Sequence, residues 1–513
     1  MRNTIALIAI ILTIYIPLSL LDYNHFPYSD GAEHGAAVRE LAKNWTHPED
    51  PMLANHPGDS PRFVPSTLFM ALCMRMLHLD VLVTLKAFLI IYFSLFFISV
   101  TLFSREYFND TAQAPWSLAT LLFLWGLGWT GANAYMFSAI LYTAYFPSVV
   151  SLSLSLLACY FQLRFLRYGK AGTFIPYLFL GSLAFVNHPL TGAFFFISSG
   201  LLYAEKKTAG KKMIYCYLLS VITALLLMGL WPYYSFFTNL LKIVTGGMAH
   251  ATDYQLTRHY LYSKFFMRSG PALVGIPFVI LFLWQKRYLL LAGSFAFFSL
   301  FYLTGYFAKI SLAERFIFFI IFTLQMSVSR ICREWFLQSV PTLHQNAKRI
   351  TAWFLLLLLI TGIGIQLVLV YTKFISPAFE RKAGFTLPQY VNPNTMQMEL
   401  RKYLGDGDVV LSDLYSSWSI PVYTGAKVIA LFHTSPHVGD NAERIHDIET
   451  FYDGETSSEE RMKILKKYEV THIFLNFKII GKDLEFPLKE MGFSVVAHNN
   501  SFCLFSVPSN NLI

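Results

Sequence analysis

Long apolar runs separated by short basic clusters fill the chain from residue 4 to residue 373, and beyond Ser376 the pattern changes to short alternating segments. Thr4 to Leu21 is long and apolar enough to enter a bilayer. Further runs predict membrane spans at Val81 to Phe103, Trp116 to about Asn133, Pro147 to Leu163, Met213 to Trp231, Pro271 to Trp284, Tyr288 to Leu303, Phe316 to Ser329 and Thr351 to Tyr371. Phe174 to Ala204 lies between two basic clusters and reads as a hairpin that goes out and returns. Each of its arms reaches only ~22 Å, short of the ~30 Å hydrocarbon core. Its turn, Asn187-His188-Pro189, is therefore expected below the outer surface, where polar backbone is tolerated beside protein or a wet cavity. The total is about eleven crossings. Phe63 to Leu77 is apolar but short and carries Arg75, and it reads as a helix lying in the outer interface.

From Ser376 onward the chain reads as a soluble α/β domain of roughly 110 to 130 residues. Short strands are expected at Val409 to Leu411, Lys427 to Leu431, Thr471 to Leu475, Phe493 to Ala497 and Phe502 to Ser506. Amphipathic helices are expected at Asp440 to Tyr452 and Ser458 to Lys467. The expected division is thus a membrane domain over 1–375, with a large external loop at 22–62, followed by an external domain over 376–513. That domain has no glycine-rich phosphate loop of dinucleotide or P-loop type.

Composition agrees: 55% of residues are hydrophobic and only 14% charged, too apolar for a soluble chain of this length. The net charge of +9 would suit a nucleic-acid partner if the basic residues formed one patch. Instead they sit between apolar runs, at Arg164, Arg167 and Lys170, at Lys206, Lys207, Lys211 and Lys212, at Lys286 and Arg287, and at Arg330, Arg333, Lys348 and Arg349. That is the positive-inside pattern of cytoplasmic loops, and no nucleic-acid partner is implied. It places the N-terminus inside, residues 22–62 outside, and the C-terminal domain outside as well. The start could be taken for a signal peptide, but no small-residue cleavage site precedes Asp22-Tyr23-Asn24, so a retained first helix is expected. Cys73, Cys159, Cys216, Cys332 and Cys503 are scattered, with no spacing for a disulfide framework or metal site. Neither a metal nor a cofactor is indicated.

The candidate chemistry begins in the first external loop, Pro27-Tyr28-Ser29-Asp30-Gly31-Ala32-Glu33-His34. A carboxylate at the lip of a membrane cavity can take the proton of a sugar hydroxyl as its oxygen attacks an anomeric carbon, because partial desolvation raises an acid towards the useful range. The plainer reading is that Asp30 caps a helix starting near Gly31, with Glu33 completing a capping box.

An apolar first helix leads to Asp30 a few residues into the first external loop. A polar helix from Gly31 to Asn44, turns at Pro48, Pro51, Pro57 and Pro61, and an interfacial helix then precede the second crossing. This arrangement resembles the C-type (GT-C) superfamily of integral membrane glycosyltransferases. Within it, the resemblance is to the branch that uses polyprenyl-phosphate sugars, such as protein mannosyltransferases and aminoarabinose transferases. The resemblance is strongest over the first hundred residues. It implies that Asp30 matches the catalytic or acceptor-orienting carboxylate of the first loop. The sequence departs from the usual adjacent Asp-Glu pair, since Gly31 follows Asp30 and the next acid is Glu33.

Glu314-Arg315 opens an apolar run from the outside. An arginine at that depth is costly unless paired, and its guanidinium fork suits a phosphate. Arg315 would then grip the donor's lipid phosphate while Glu314 orients donor or acceptor. The alternative is an ordinary snorkelling pair at a helix end, near Lys309. The external stretch from Pro232 to Ser269 holds Arg258, His259 and Lys264 among interleaved tyrosines, against the positive-inside bias, which argues for an anionic ligand. A solvated loop would have the same composition. His34, His56 and His188 could face the outer cavity, with Arg62 at the end of the first loop, and His188 is the strongest of these because the short hairpin forces it into the membrane. A single histidine is more often structural than a ligand.

The expected function is transfer of a sugar from a polyprenyl-phosphate donor to a lipid, glycan or protein acceptor on the external face of a membrane, with a bacterial cytoplasmic (inner) membrane as the expected location. Asp30 is the expected base, with Glu33, His34, His56, Arg62, His188, Arg258, His259, Lys264, Glu314 and Arg315 as expected substrate-binding residues. Two other classes remain open: a transporter or flippase of a lipid-linked saccharide, and a non-catalytic membrane scaffold. A transporter usually carries internal repeats with broken helices in matching halves, and no such symmetry is visible. A scaffold leaves the acidic loop and the external basic residues unexplained.

Overall fold

The computed structural model describes residues 13, 16–17, 27, 30–56, 58, 60–127, 129, 135–206, 211–244, 261–310, 312–337, 343–372, 393–432 and 438–508. The chain divides into two compact units, residues 1–21 with 86–383 and residues 22–85 with 384–513. The stretch between the first apolar run and Leu85 therefore belongs to the same unit as the C-terminal domain.

The helices, in chain order, begin with α1 (Gly31–Lys43), α2 (Pro65–Met76), α3 (Val81–Phe108), α4 (Gln113–Phe123), α5 (Phe137–Thr143) and α6 (Pro147–Tyr168). They continue with α7 (Ala171–Asn187), α8 (Pro189–Glu205), α9 (Lys211–Gly229), α10 (Phe236–Val244), α11 (Phe265–Ser269), α12 (Ile276–Trp284) and α13 (Leu289–Phe307). A short 3₁₀ turn, Ala313–Phe316, leads into α14 (Ile317–Leu337), followed by α15 (Leu343–Val370). Among the described residues six helical segments are long and apolar enough to cross a membrane, and Ala171–Asn187 and Met213–Gly229 are shorter apolar helices. The first apolar run, Thr4 to Leu21, lies almost wholly outside the described residues. The protein is a polytopic α-helical membrane protein.

Helix α14 is the centre of the first unit: 83% of its apolar window is buried, against 28% for α15, whose exposed Trp353, Phe354 and Leu357 suit contact with lipid. It packs on α4, α13 and α15. Small and amide side chains bring these helices together, with Gln113 donating to Ser329 at 3.1 Å and Ser117 lying 3.3 Å from the same hydroxyl.

The run Trp116 to Asn133 departs from the expected single span. Helix α4 stops at Phe123, and the backbone beyond it pairs with another segment: Gly126 donates to the Arg268 carbonyl at 2.9 Å and Leu127 to that of Met267 at 3.0 Å. Gln325 on α14 donates to the freed Leu124 carbonyl at 2.8 Å. Non-helical backbone survives among membrane helices only where protein satisfies it in this way. Gly126 permits the approach, because a Cβ there would lie 2.0 Å from the Met267 oxygen. Gly126→Ala is expected to lose at least the ~1–3 kcal/mol of an overpacked site, read as a lower unfolding temperature in detergent.

The hairpin breaks at His188, and its two helices have 17 residues each. Asn187 is buried and donates to the Pro147 carbonyl at 2.8 Å, while Ser151 donates to Ala184 O, so the break is tied to the start of α6.

Charged residues gather at one end of this bundle. Arg167 pairs with Glu106 at 2.9 Å, Arg330 and Arg333 with Asp110, and Arg287 and Arg330 with Glu334. Glu205 accepts from Tyr107 and from Leu290 N, both at 3.0 Å. These are the C-terminal ends of α3, α6, α8 and α14, where the sequence has its basic clusters.

In the second unit, α1 and α2 pack together, and α2 leaves Phe69, Leu72, Met76 and Leu77 exposed. That exposed apolar face fits the interfacial helix expected from the sequence. Helix α16 (Pro393–Leu400) precedes a five-stranded sheet made of β1 (Val409–Leu411), β2 (Lys427–Val428), β3 (His472–Asn476), β4 (Ser494–His498) and β5 (Phe502–Ser506), in the order β2-β1-β3-β5-β4. The first three are parallel neighbours, and β5 runs antiparallel to both β3 and β4. Short helices α17 (Leu414–Ser417) and α18 (Ile420–Thr424) follow β1, and α19 (Asn441–Tyr452), α20 (Ser458–Lys467) and α21 (Glu485–Glu490) complete the domain. Leu411, Phe451, Leu465, Ile473 and Phe505 form its buried core. The first loop extends this sheet: Leu53 pairs parallel with Val428, with Val428 N donating to Met52 O at 2.8 Å and Ala54 N to Val428 O at 2.9 Å.

Candidate functional site

The first unit carries an open cavity. Its lining comes from the first turns of α6 (Ser148, Val149, Leu152), the hairpin break (His188, Leu190, Thr191), the entry to α14 (Arg315, Phe318, Phe319) and Tyr135. These are the N-terminal ends of α6, α8 and α14, so the cavity lies at the bundle end opposite the cluster of Arg167, Arg330 and Glu334.

His188 and Arg315, singled out separately by the sequence, meet in this lining. The Thr191 backbone N–H donates to His188 Nδ1 at 3.3 Å, and the Thr191 hydroxyl lies 2.8 Å from the same atom. With Nδ1 accepting, the ring carries its proton on Nε2. Arg315 is half-buried, and among the described residues its guanidinium has no hydrogen bond or ion pair. Ser148 is 6% exposed, and its hydroxyl also lacks a partner among the described residues. Tyr135 donates to Gln325 Oε1 at 3.1 Å, which fixes its ring at the cavity wall. A guanidinium and a buried hydroxyl, both without a hydrogen-bond partner among the described residues and lining the same space, have the chemistry to receive an anionic oxygen.

Glu314 points elsewhere from its neighbour and is fully buried. Its charge and that of Arg268, which is 0% exposed, both act on the Tyr302 hydroxyl, and Tyr302 donates to Leu261 O at 3.0 Å. Arg268 also lies over the Trp129 ring, and its carbonyl accepts from Trp129 Nε1 at 3.2 Å. Lys264 is exposed at the start of α11. Arg258 and His259 lie outside the described residues.

In the second unit Asp30 stands immediately before α1, as the sequence predicts, but its side chain does not cap the helix. Its backbone is already helical (φ −55°, ψ −12°), and no capping hydrogen bond forms. Glu33 completes no capping box either: its carboxylate pairs with Arg62 at 2.6 Å. That ion pair joins two residues that the sequence singles out separately. His34 is buried at 2% exposure. His56 is held by Asp50 at 3.2 Å, and the other Asp50 oxygen accepts from Met52 N and Leu53 N, both at 2.8 Å. Nearby, Arg444 bonds Asp440 at 2.7 Å; against the opposing effect of burial, that bond and the Arg444 and His56 charges hold Asp440 below the usual carboxylate range. Among the described residues no group of three or more His, Cys, Asp or Glu side chains could hold a metal ion.

No protein-family model matches the sequence, and no curated protein is significantly similar to it. The structure, however, is similar to solved ones over nearly its whole length. ArnT from Cupriavidus metallidurans in the apo state aligns with a TM-score of 0.50 at 13% identity, covering 99% of this chain and 98% of ArnT. The same protein bound to undecaprenyl phosphate aligns at 0.51 and 12% identity, with the same coverage. The Archaeoglobus fulgidus oligosaccharyltransferase, tethered to an acceptor peptide, aligns at 0.48 and 13% identity over 98% of this chain and 74% of its own. This is the C-type glycosyltransferase fold.

Within the C-type fold, sequence reasoning misses Lys86, Arg268 and Ser148. Lys86 is 6% exposed although it lies in the apolar run of α3. An ionisable residue buried among membrane helices is a functional candidate by default, and one lysine in an apolar run is a visible signal. Arg268 is visible only as one of many charges in a polar loop. Nothing in the sequence distinguishes Ser148 from the other serines of α6.

Proposed function

We propose that the protein is a membrane glycosyltransferase that moves a sugar from a polyprenyl-phosphate donor to a lipid, glycan or protein acceptor on the extracytoplasmic face. The observation that carries this reading is the Arg315 guanidinium, half-buried in the cavity wall and unpaired among the described residues. A cation in that state is stabilised by an anionic ligand, and the guanidinium fork matches phosphate oxygens. The C-type fold and the undecaprenyl phosphate bound by ArnT support a lipid phosphate as that anion.

The chemistry is a single displacement. An acceptor hydroxyl loses its proton to the Asp30 carboxylate as its oxygen bonds to the anomeric carbon, and the bond from that carbon to the lipid phosphate breaks. The leaving phosphate keeps the electron pair, and Arg315 and Ser148 stabilise its growing charge. Attack opposite the leaving group inverts the anomeric centre. His188, in the same cavity wall, is a further candidate contact for the substrate.

Sidedness follows from the positive-inside rule. The ionic end of the bundle carries the basic clusters and is assigned to the cytoplasm, which leaves the cavity facing outward. Residues 22–85 and 384–513 form one compact unit, and engineered cysteines in both segments are expected to be labelled by the same impermeant reagent. Labelling of only one of them would overturn the assignment. The function itself is tested by incubating the purified protein in lipid with a panel of labelled polyprenyl-phosphate sugars and candidate acceptors. Transfer of label is expected; release of intact donor to the opposite leaflet without transfer would favour a flippase.

A further inference from the structure

Helix α1, which carries Asp30 at its N-terminal end, is held further along by the C-terminal domain. Arg39 donates to the carbonyls of Val422 and Tyr423 at 3.4 and 3.2 Å and lies 3.4 Å from Asp406. One residue on, Glu40 is 5% exposed and accepts from Lys427 Nζ at 2.7 Å. Its second oxygen accepts from Glu49 N at 3.1 Å, and Lys427 Nζ also donates to the Asp50 carbonyl. One turn nearer Asp30, Gly35 lies so close to α18 that a Cβ there would be 2.4 Å from Val422 Cγ2. The loop after α1 is fixed in the same way, with Arg444 Nη1 donating to Ala54 O at 2.9 Å and to Ile429 O at 3.0 Å.

We propose that the Glu40–Lys427 pair positions Asp30 for catalysis by fixing α1 to the C-terminal domain. The inference rests on the reading of Asp30 as the base, and both members of the pair are positioning residues. Lys427 lies on β2, the strand that pairs with Leu53, so one strand anchors both the helix and the loop behind it. The pair is ten residues from Asp30, about 15 Å along a helix at ~1.5 Å per residue. A rigid helix released at that point swings at its far end, and a shift of about 1 Å at a reacting group can cost about 100-fold in rate.

The test uses the full-length protein in lipid with Glu40→Leu, Lys427→Met, the double variant and Lys427→Arg. Removing one partner leaves a buried charge and can unfold the protein, so the double variant, which leaves none, is decisive. Turnover per donor-binding site is expected to fall about 10- to 100-fold in the double variant, with KM for the donor unchanged and no additional loss over either folded single variant. Lys427→Arg is expected to retain turnover within about threefold, since it keeps the charge. Limited proteolysis within residues 44–62 is expected to be faster in the double variant and not in Lys427→Arg. Normal turnover in a folded double variant, or unchanged proteolysis, would overturn the clamp. Normal turnover in Asp30→Asn would instead remove Asp30 from the reaction and overturn the purpose assigned to the clamp, while the proteolysis result would still report on the clamp itself.

Discussion

Replacing Asp30 by asparagine is expected to lower turnover by ~10² to 10⁴-fold while leaving donor binding intact. Asparagine keeps the size of aspartate and most of its hydrogen bonding, but it cannot accept the acceptor's proton. A capping role predicts a different result, because asparagine is about as good an N-cap as aspartate. The geometry weakens the capping alternative before any measurement: the residue before Gly31 has helical backbone angles, and its side chain makes no capping bond. Glu33, the other half of the expected capping box, is engaged with Arg62. Asp30→Ala serves as the second variant, since it removes both the base and any local hydrogen bond. Equal losses of transfer in the two variants, with helix content and donor affinity retained, point to the proton acceptor. Near-normal transfer by Asp30→Asn beside a defective Asp30→Ala would show that only the polar contact matters.

Much of this architecture is legible because hydropathy and alternation are local signals. Val409 to Leu411 and Phe502 to Ser506 are strands at the positions their alternation gives, and the hairpin turn falls at His188, where proline and a polar pair interrupt an apolar run. Expectations fail where a long-range contact decides the local structure. Trp116 to Asn133 is apolar throughout most of its length, yet α4 ends at Phe123 because Gly126 and Leu127 bond to carbonyls some 140 residues later. The Pro-containing loop after α1 gives no sign of a strand, and Leu53 becomes one only because β2 presents an open edge. The Lys427 and Arg444 contacts that join the loop after α1 to the C-terminal domain are likewise long-range and leave no mark in the sequence.

The candidate site is legible in its charges rather than in its pairings. Arg315 and His188 stand out because each is polar at an apolar boundary, and the fold brings them to one cavity wall. Glu314, beside Arg315 in sequence, is buried away from that wall, since adjacent residues on a tight helical turn do not face the same way. Glu33 and Arg62 stand out separately because nothing in their spacing says that they pair. Lys86 is easily passed over because one charge in an apolar run barely changes its hydropathy, although it is buried.

Arg315→Ala is expected to weaken donor binding by about 10- to 100-fold, the equivalent of losing a charge-assisted hydrogen bond of ~1.5–3 kcal/mol. Its effect on fold stability should be much smaller, because among the described residues the guanidinium bonds to no protein group that truncation would leave unsatisfied. Ordinary helix-end snorkelling predicts the opposite balance, since losing the stem from a half-buried position would destabilise the entry to α14 without touching donor affinity. A lysine at this position would keep the charge but lose the two-pronged geometry, so Arg315→Lys should fall between wild type and alanine if phosphate oxygens are gripped as a pair. The measurement is donor affinity by titration in lipid beside the unfolding temperature in detergent. High salt should narrow the difference between wild type and Arg315→Ala only modestly, because a half-buried cation is screened less than an exposed one. A melting temperature that drops while donor affinity holds would make Arg315 a structural residue and leave the cavity without its principal ligand contact.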